Sequence, residues 1–274
     1  MKFKFSVAVI LIACMFNSVS FGLSTMGTPT TDLDKGQWSI GFDYSRINID
    51  LKLDDMEGTA FFNKNKLNKI EAKSLMAELA LGIFDQWEII GGFGVAEAEY
   101  DERVSQMSGS SAVTIFDEHE SDDGFSAKLG TKVTFLKKGP LKLGALLLAN
   151  WDTIDGTYKE QRWTDGTYDG YVQGDLNEDF LTIKVAPGAS FNFLGFLTVY
   201  GGPFWQWING RGHADVETDT TSSAQDGEAD IKQDSSFGGW IGFQAEIPFN
   251  LKLNVEFQKT SSSDALGISL VGKF

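Results

Sequence analysis

The sequence contains little cysteine, little proline and a shortage of positive charge. Its 274 residues include 1 Cys, 5 Pro, and 23 Lys and Arg against 38 Asp and Glu, a formal net charge of −15. A single cysteine excludes a disulfide framework and a cysteine-based metal site. The excess of acids argues against a nucleic-acid partner, because phosphates are bound by clustered Lys and Arg. A mean hydropathy of −0.14 excludes a bundle of membrane helices.

One long apolar run is present, at the start of the chain. Residues 5–16 follow Lys2 and Lys4, and Ser20 and Gly22 occupy the −3 and −1 positions of a cleavage site. The run is shorter than the ~20 apolar residues of a spanning helix. We predict a signal peptide over 1–22, followed by a short periplasmic segment over 23–36. Whether Cys14 is a lipidation site or one residue of the apolar run stays open.

The rest of the chain alternates apolar and polar residues with a period of two. Clear examples are 38–45, 125–135 and 237–247, and no long stretch has helical spacing. The pattern predicts about ten strands, most of about 10–14 residues, longer than the ~5–6 of soluble sheets and long enough to cross a bilayer. The facing of 141–151 is ambiguous because both faces carry apolar residues, and that of 87–100 because Glu97 and Glu99 share a parity with Phe93 and Val95.

The connections between these strands alternate in length. Short links are predicted at 84–86, 136–140, 192–195 and 248–250, and long links at 51–68, 101–123, 152–178 and 208–235, with a shorter polar link at 260–264. Consecutive links of an antiparallel meander lie at opposite ends, so all long links lie at one end. This regular alternation also disfavours a soluble sandwich of two sheets.

Over residues 37–274 the chain resembles a ten-stranded bacterial outer-membrane β-barrel. Its last strand, with Leu266, Ile268, Leu270 and Phe274 on one face, resembles the terminal signature by which such barrels are recognised for insertion, although Gly272 departs from the pattern. The resemblance implies an all-β, antiparallel up-and-down transmembrane barrel with short periplasmic turns and long extracellular loops. It also implies location in the cell outer membrane, with outer-membrane lipid and the barrel-assembly machinery as partners.

The polar faces of the predicted strands line the lumen of such a barrel. They carry charges of both signs, at Asp43, Glu78, Lys128, Lys132, Lys184, Glu246, Lys252 and Glu256. A barrel of about ten strands has a narrow interior that side chains fill. Two interpretations follow, a structural network of ion pairs or a small selective pore.

The acidic excess is concentrated in the long links. Loss of the two lysines of the signal peptide changes the net charge from −15 to −17, and the long links together with Asp264 account for all of it. A solvated repulsive face explains this, and binding of divalent cations at acidic extracellular loops is the alternative.

The Asp-Gly pairs at 155–156 and 165–166 predict turns, and the link 152–178 is predicted to extend the wall as a hairpin. Its aromatic residues form a second candidate site for a ligand: Tyr158, Trp163, Tyr168 and Tyr171.

Neither histidine of the sequence lies in a recognised catalytic pattern. Some ten-stranded outer-membrane barrels are proteases with an Asp two residues before a rim His, but Arg211 holds that position before His213, and His119 lies between two glutamates. We therefore predict no enzyme, no cofactor and no metal centre. The expected function is a non-catalytic structural or surface barrel, or a narrow porin-like channel. The alternatives are a loop-mediated binding or adhesion protein and, less favoured, an omptin-like or acyl-hydrolase enzyme.

Overall fold

The computed structural model describes residues 25–58, 66–108, 111–121, 124–218, 221–233 and 237–274. The predicted signal peptide, with Cys14, Ser20 and Gly22, lies outside these residues. Within them, no helix has the length and hydropathy needed to cross a membrane. The described residues form twelve strands: β1 (Trp38–Gly58), β2 (Lys66–Phe84), β3 (Trp87–Ser108), β4 (Ser111–Ser121), β5 (Gly124–Lys138), β6 (Leu141–Thr164), β7 (Thr167–Asn192), β8 (Leu197–Thr218), β9 (Thr221–Gln233), β10 (Phe237–Ile247), β11 (Leu251–Thr260) and β12 (Ser263–Lys273).

These strands form one closed antiparallel barrel with ten positions around its wall. Strand β3 pairs with β4 along one half and with β5 along the other, and β8 pairs with β9 and β10 in the same way. Strands β4 and β5 therefore share one position in the wall, and β9 and β10 share another. Pairing of β1 with β12, from Ser39 opposite Lys273 to Ile49 opposite Ser263, closes the wall. Closure leaves no open sheet edge along this part of the wall, and it confirms the predicted barrel over the sandwich.

The outward face carries a continuous apolar band. On β5 the outward side chains run from Phe125 to Phe135, on β7 from Leu181 to Phe191, and on β10 from Phe237 to Ile247. Each stretch is 11 residues long, the length of a tilted strand that crosses a bilayer. Five outward tryptophans lie at the edges of this band, as in the aromatic belts of membrane barrels: Trp38 and Trp87 at the start of β1 and β3, and Trp151, Trp205 and Trp207 within β6 and β8.

Beyond the band, most of the predicted long links are strand. Strands β6 and β7 remain paired from Leu141 opposite Phe191 to Thr164 opposite Thr167, which confirms the predicted hairpin. Its turn is at Asp165 and Gly166, both with positive φ (50° and 80°). The other predicted Asp-Gly turn is wrong, because 155–156 lies within β6 and pairs with β7. The wall therefore continues past the membrane as a sheet, as predicted for 152–178, whereas loops were predicted at 51–68, 101–123 and 208–235.

Beyond the membrane, the wall closes with fewer strands. The hairpin of β11 and β12 ends early, and above it β1 pairs directly with β9, from Leu51 opposite Gln233 to Gly58 opposite Gly227. The tip of that short hairpin is held beneath this junction, where the Asp50 N–H donates to the Ser262 carbonyl at 2.8 Å. At the other end of the barrel, short turns join the strands at 85–86, 139–140, 193–196 and 248–250.

The barrel decides the facing of the two ambiguous stretches. In β3 the side chains of Glu88 and Ile90 point inward, and in β6 those of Leu146 and Leu148 do. The inward apolar side chains are explained by what they meet. Ile90, Leu146 and Leu148 belong to a buried cluster that includes Met26 and Leu33, from the segment that precedes β1.

Candidate functional site

Residues 25–34 lie inside the barrel at its short-turn end. The sequence predicts this stretch as part of a short periplasmic segment, but its backbone and side chains bond to lumen residues of eight strands: β1, β3, β5, β6, β7, β10, β11 and β12. Small and polar residues dominate the stretch, so it fits in the narrow lumen, and the lumen side chains satisfy its backbone groups. We call residues 25–34 the internal segment.

Glu256 on β11 is the main acceptor for the start of the internal segment. Its two carboxylate oxygens each accept a backbone N–H, from Met26 at 2.9 Å and from Gly27 at 2.9 Å. The Gln258 side chain donates to the same carboxylate at 2.7 Å, and Lys184 donates to the Gln258 carbonyl oxygen at 3.0 Å. Lys184 and Glu256, both predicted lumen charges, are thus fully buried and linked through one glutamine.

Asp32 anchors the other end of the internal segment. Its carboxylate pairs with Lys252 Nζ at 2.9 Å and accepts a hydrogen bond from Gln244 at 2.9 Å. Burial alone would raise the pKa of Asp32, but the nearby Lys252 and Lys132 ammonium groups and the Gln244 hydrogen bond hold it well below its usual range. Lys252 also lies 3.5 Å from Glu246, whose side chain is half exposed at the mouth. The charge of Asp32 therefore fixes the segment to β10 and β11.

Lys128 joins two acids at the centre of the lumen. Its Nζ lies 3.1 Å from Asp43 Oδ2 and 2.6 Å from Glu78 Oε2. The side chains of Lys128 and Asp43 are each 1% exposed, and Asp43 also accepts the Thr25 N–H at 3.0 Å. This ion pair therefore connects the wall to the internal segment.

Lys132 lies 3.6 Å from Glu88, whose other carboxylate oxygen accepts the Asp32 N–H at 2.9 Å.

Sequence reasoning placed all eight predicted lumen charges on inward faces, and the structure brings them together in these networks. It missed four partners, Asp32, Glu88, Gln244 and Gln258. The period of two could have found Gln244 and Gln258, whereas Glu88 lies in the ambiguous stretch 87–100 and Asp32 lies outside any described strand.

The internal segment and large side chains fill the lumen at this end. Tyr200 and Trp240, with ring centroids 5.4 Å apart, pack in the buried cluster with Met26 and Leu33. Gly242 makes room for the Tyr200 ring, because a Cβ there would lie 2.3 Å from it. Beside the segment remains a polar cavity of about 40 Å³, which has room for a few water molecules.

A second, apolar chamber lies in the half of the lumen beyond the apolar band. Its walls are the inward side chains of a buried cluster: Ile47, Ile49, Leu51, Ile70, Ala72, Ala98, Ile154, Phe180, Ala229, Ile231 and Ala265. A cavity of about 50 Å³ opens in it, and two acids, Asp152 and Glu178, line the cavity together with Thr182. Water-filled barrel lumens are polar, so the composition of this chamber is unusual.

The predicted insertion signature lies on the outer face of β12. Leu266 and Phe274 are exposed, and Ile268 and Leu270 are partly exposed. Phe274 closes the seam of the barrel. Its ring stacks on Trp38 with centroids 4.5 Å apart, and the two backbones exchange hydrogen bonds of 2.9 and 3.2 Å.

The candidate catalytic and aromatic residues lie on the wall extension. His213 faces outward on β8, with its ring nitrogens 3.6 Å from Asp215 and 3.7 Å from Glu228. His119 lies in β4, and its side chain is outside the described residues, as is that of Tyr158. Trp163 and Tyr168 meet edge to face at 5.4 Å beside the hairpin turn. Among the residues whose side chains are described, no cluster of three or more His, Cys, Asp or Glu is arranged to hold a metal ion.

No protein-family model and no curated protein sequence matches the chain. Among solved structures it is similar to the outer membrane protease OmpT from Escherichia coli, at 8% identity over 93% of this chain and 98% of that chain, with a TM-score of 0.49. It is also similar to the translocator domain of autotransporter NalP from Neisseria meningitidis, at 10% identity over 86% and 87%, with a TM-score of 0.40. The attachment invasion locus protein Ail of Yersinia pestis matches at 12% identity over 88% and 99%, with a TM-score of 0.29.

At these identities the likeness is one of fold alone. The closed ten-stranded wall, the outward apolar band and the flanking tryptophans make the chain an integral β-barrel of the bacterial outer membrane.

Proposed function

We propose that the protein is a non-catalytic surface barrel whose lumen is closed to ions by its own internal segment. The observation that carries the proposal is the bonding of residues 25–34 to eight strands around the wall. A segment tied to one side of a lumen leaves a gap on the other, whereas this one is held around the circumference. The remaining polar cavity, about 40 Å³, is too small for a hydrated ion to pass.

A disulfide between the internal segment and the wall tests this function. Thr30 Oγ1 lies 2.8 Å from Ser190 Oγ on β7, so Thr30→Cys with Ser190→Cys brings two thiols within bonding reach. The double variant is exported as the full precursor, purified from outer membranes and measured in planar bilayers, oxidised and then reduced. The single variant Ser190→Cys is the control. We expect no conductance steps in any of these samples, nor in the wild type.

The second candidate function is a narrow channel gated by the internal segment. The polar cavity between the segment and β10 to β12 favours it, because small movements there would connect polar surfaces. This function predicts conductance steps that appear on reduction of the disulfide and vanish on reoxidation. Steps in the oxidised form would contradict closure by the segment altogether.

The proposal of a non-catalytic role rests on the surroundings of His213. Its side chain is 43% exposed on the outer face of the wall, and both its near neighbours are acids, so no nucleophile and base are brought together there. Purified protein is expected to show no hydrolysis of peptide or acyl-ester substrates above a His213→Ala control. Activity lost in that variant would contradict the proposal.

A further candidate function is the binding of a surface partner. The acidic residues of the wall extension and the aromatic residues at the tip of the hairpin support it. In this function, shortening the hairpin by removal of residues 160–171 abolishes binding to a surface partner while the barrel still inserts. Heat-modifiable mobility on gels of the membrane fraction monitors insertion.

A further inference from the structure

The apolar chamber contains a carboxylate that the rest of the fold does not explain. Glu178 lies on the inward face of β7, three residues beyond Leu181, where the apolar band on that strand ends. Within the described residues it has neither a salt bridge nor a hydrogen-bond donor. Its side chain is partly exposed and lines the cavity. A carboxylate among apolar side chains is stabilised by an opposite charge.

Apolar side chains surround Glu178, as in a binding site for an apolar molecule. Ile47, Ile49, Ile70 and Ile208 line one continuous cavity with it. Asp152, on the adjacent strand, lines the same cavity and is 2% exposed. The Ser126 hydroxyl donates to Asp152, so that acid already has one partner and Glu178 is the one left free. The chamber thus combines an apolar wall with negative charge on one side.

We propose that the chamber binds small organic cations that carry a short alkyl chain, the ammonium group pairing with Glu178 and the chain lying against the isoleucines. The cavity volume of about 50 Å³ limits the size of the ligand. An apolar cavity of about 150 Å³ holds the six carbons of benzene, so a cavity of one third that volume takes a chain of one or two carbons. A neutral or anionic molecule of the same length fills the apolar part and leaves the carboxylate without its partner.

The isoleucines make the site directly observable. With selective labelling of isoleucine δ1 methyl groups, NMR titration of the full barrel in phosphatidylcholine nanodiscs reports binding at Ile47, Ile49, Ile70 and Ile208. Lipid-facing Ile183 and Ile241 report partitioning into the bilayer. The probes are ethylammonium, ethanol and acetate. We expect ethylammonium to shift the chamber methyls with a Kd at least about tenfold below that of ethanol, and acetate not to bind.

Three variants separate the contributions. Glu178→Gln is expected to raise the Kd of ethylammonium to that of ethanol, because it removes the charge and keeps the shape. Asp179→Asn, one residue along β7 and on the outer face, removes the same charge outside the chamber and is expected to change nothing. Ala72→Phe fills the cavity and is expected to abolish binding of both probes. Heat-modifiable mobility verifies that each variant forms the barrel.

The proposal is overturned if the chamber methyls shift equally with all three probes, or with none. Equal weakening by Asp179→Asn and Glu178→Gln would also overturn it, since the effect would then be one of general surface charge. Shifts limited to Ile183 and Ile241 would mean that the probe partitions into lipid without occupying the chamber.

Discussion

Replacement of Lys128 by methionine tests whether the ion pairs of the lumen stabilise the barrel. Lys128 is the cation shared by Asp43 and Glu78, at 3.1 and 2.6 Å. Methionine keeps most of the apolar volume, so the main loss is that of the charge. Removing one partner of a buried ion pair costs about 3–5 kcal/mol, because the other charge stays buried and unpaired. Glu78 is 20% exposed and contributes less. We therefore expect destabilisation at the lower end, about 3 kcal/mol.

The measurement is the free energy of unfolding in urea for the barrel refolded into lipid vesicles, with folding followed by heat-modifiable mobility. Lys138→Met is the matched control, since it lies at the exposed end of the same strand, and we expect less than about 0.5 kcal/mol from it. Adding Asp43→Asn to Lys128→Met removes the unpaired charge and is expected to restore much of the loss. The reasoning is refuted if Lys128→Met costs no more than the control, or if the second substitution makes the barrel less stable still.

Three further predictions concern the internal segment, the packing of the lumen and the seam. Asp32→Asn lowers the urea midpoint at neutral pH. Because the folded pKa of Asp32 is depressed, its contribution is present above its unfolded pKa of about 4 and is lost as pH falls below it, so the two midpoints converge in acid. Gly242→Ala destabilises by about 1–3 kcal/mol through overpacking, whereas Gly239→Ala, with no atom closer than 3.9 Å, has little effect on the midpoint. Phe274→Ala loses the stacking with Trp38 and lowers the fraction of heat-modifiable barrel in membranes; an unchanged fraction would contradict a role in closing the seam.

Much of the wall was predictable because a strand that crosses a membrane must alternate apolar and polar residues. For that reason the alternation over 237–247 assigns the inward and outward faces without ambiguity, and Trp240 lies on the inward face as the alternation predicts. The prediction was weakest where a lumen side chain is itself apolar. Leu146 and Leu148 in β6 contact the internal segment rather than water, so both faces of the strand look alike in the sequence.

The candidate sites were predictable in part. Lys128 and Asp43 were assigned to the lumen by parity alone, but their pairing joins residues 85 apart in the sequence. The prediction of loops at 51–68, 101–123 and 208–235 was wrong, because most of their described residues continue as paired strands, whereas the hairpin at 152–178 was predicted. Their polar composition is typical of loops and also of a sheet with one face in water, and a single strand does not distinguish the two.

The sequence by itself determined that the chain is a membrane barrel and, outside 87–100 and 141–151, which side chains face inward. Those properties depend on neighbours one and two residues away, and the period of two records them directly. Only the tertiary structure decided that residues 25–34 enter the lumen, that β1 meets β9 above the short last hairpin, and that Glu178 faces an apolar chamber. These depend on contacts between residues as far apart as Met26 and Glu256, separated by 230 positions, and no local pattern carries information about a partner at that distance.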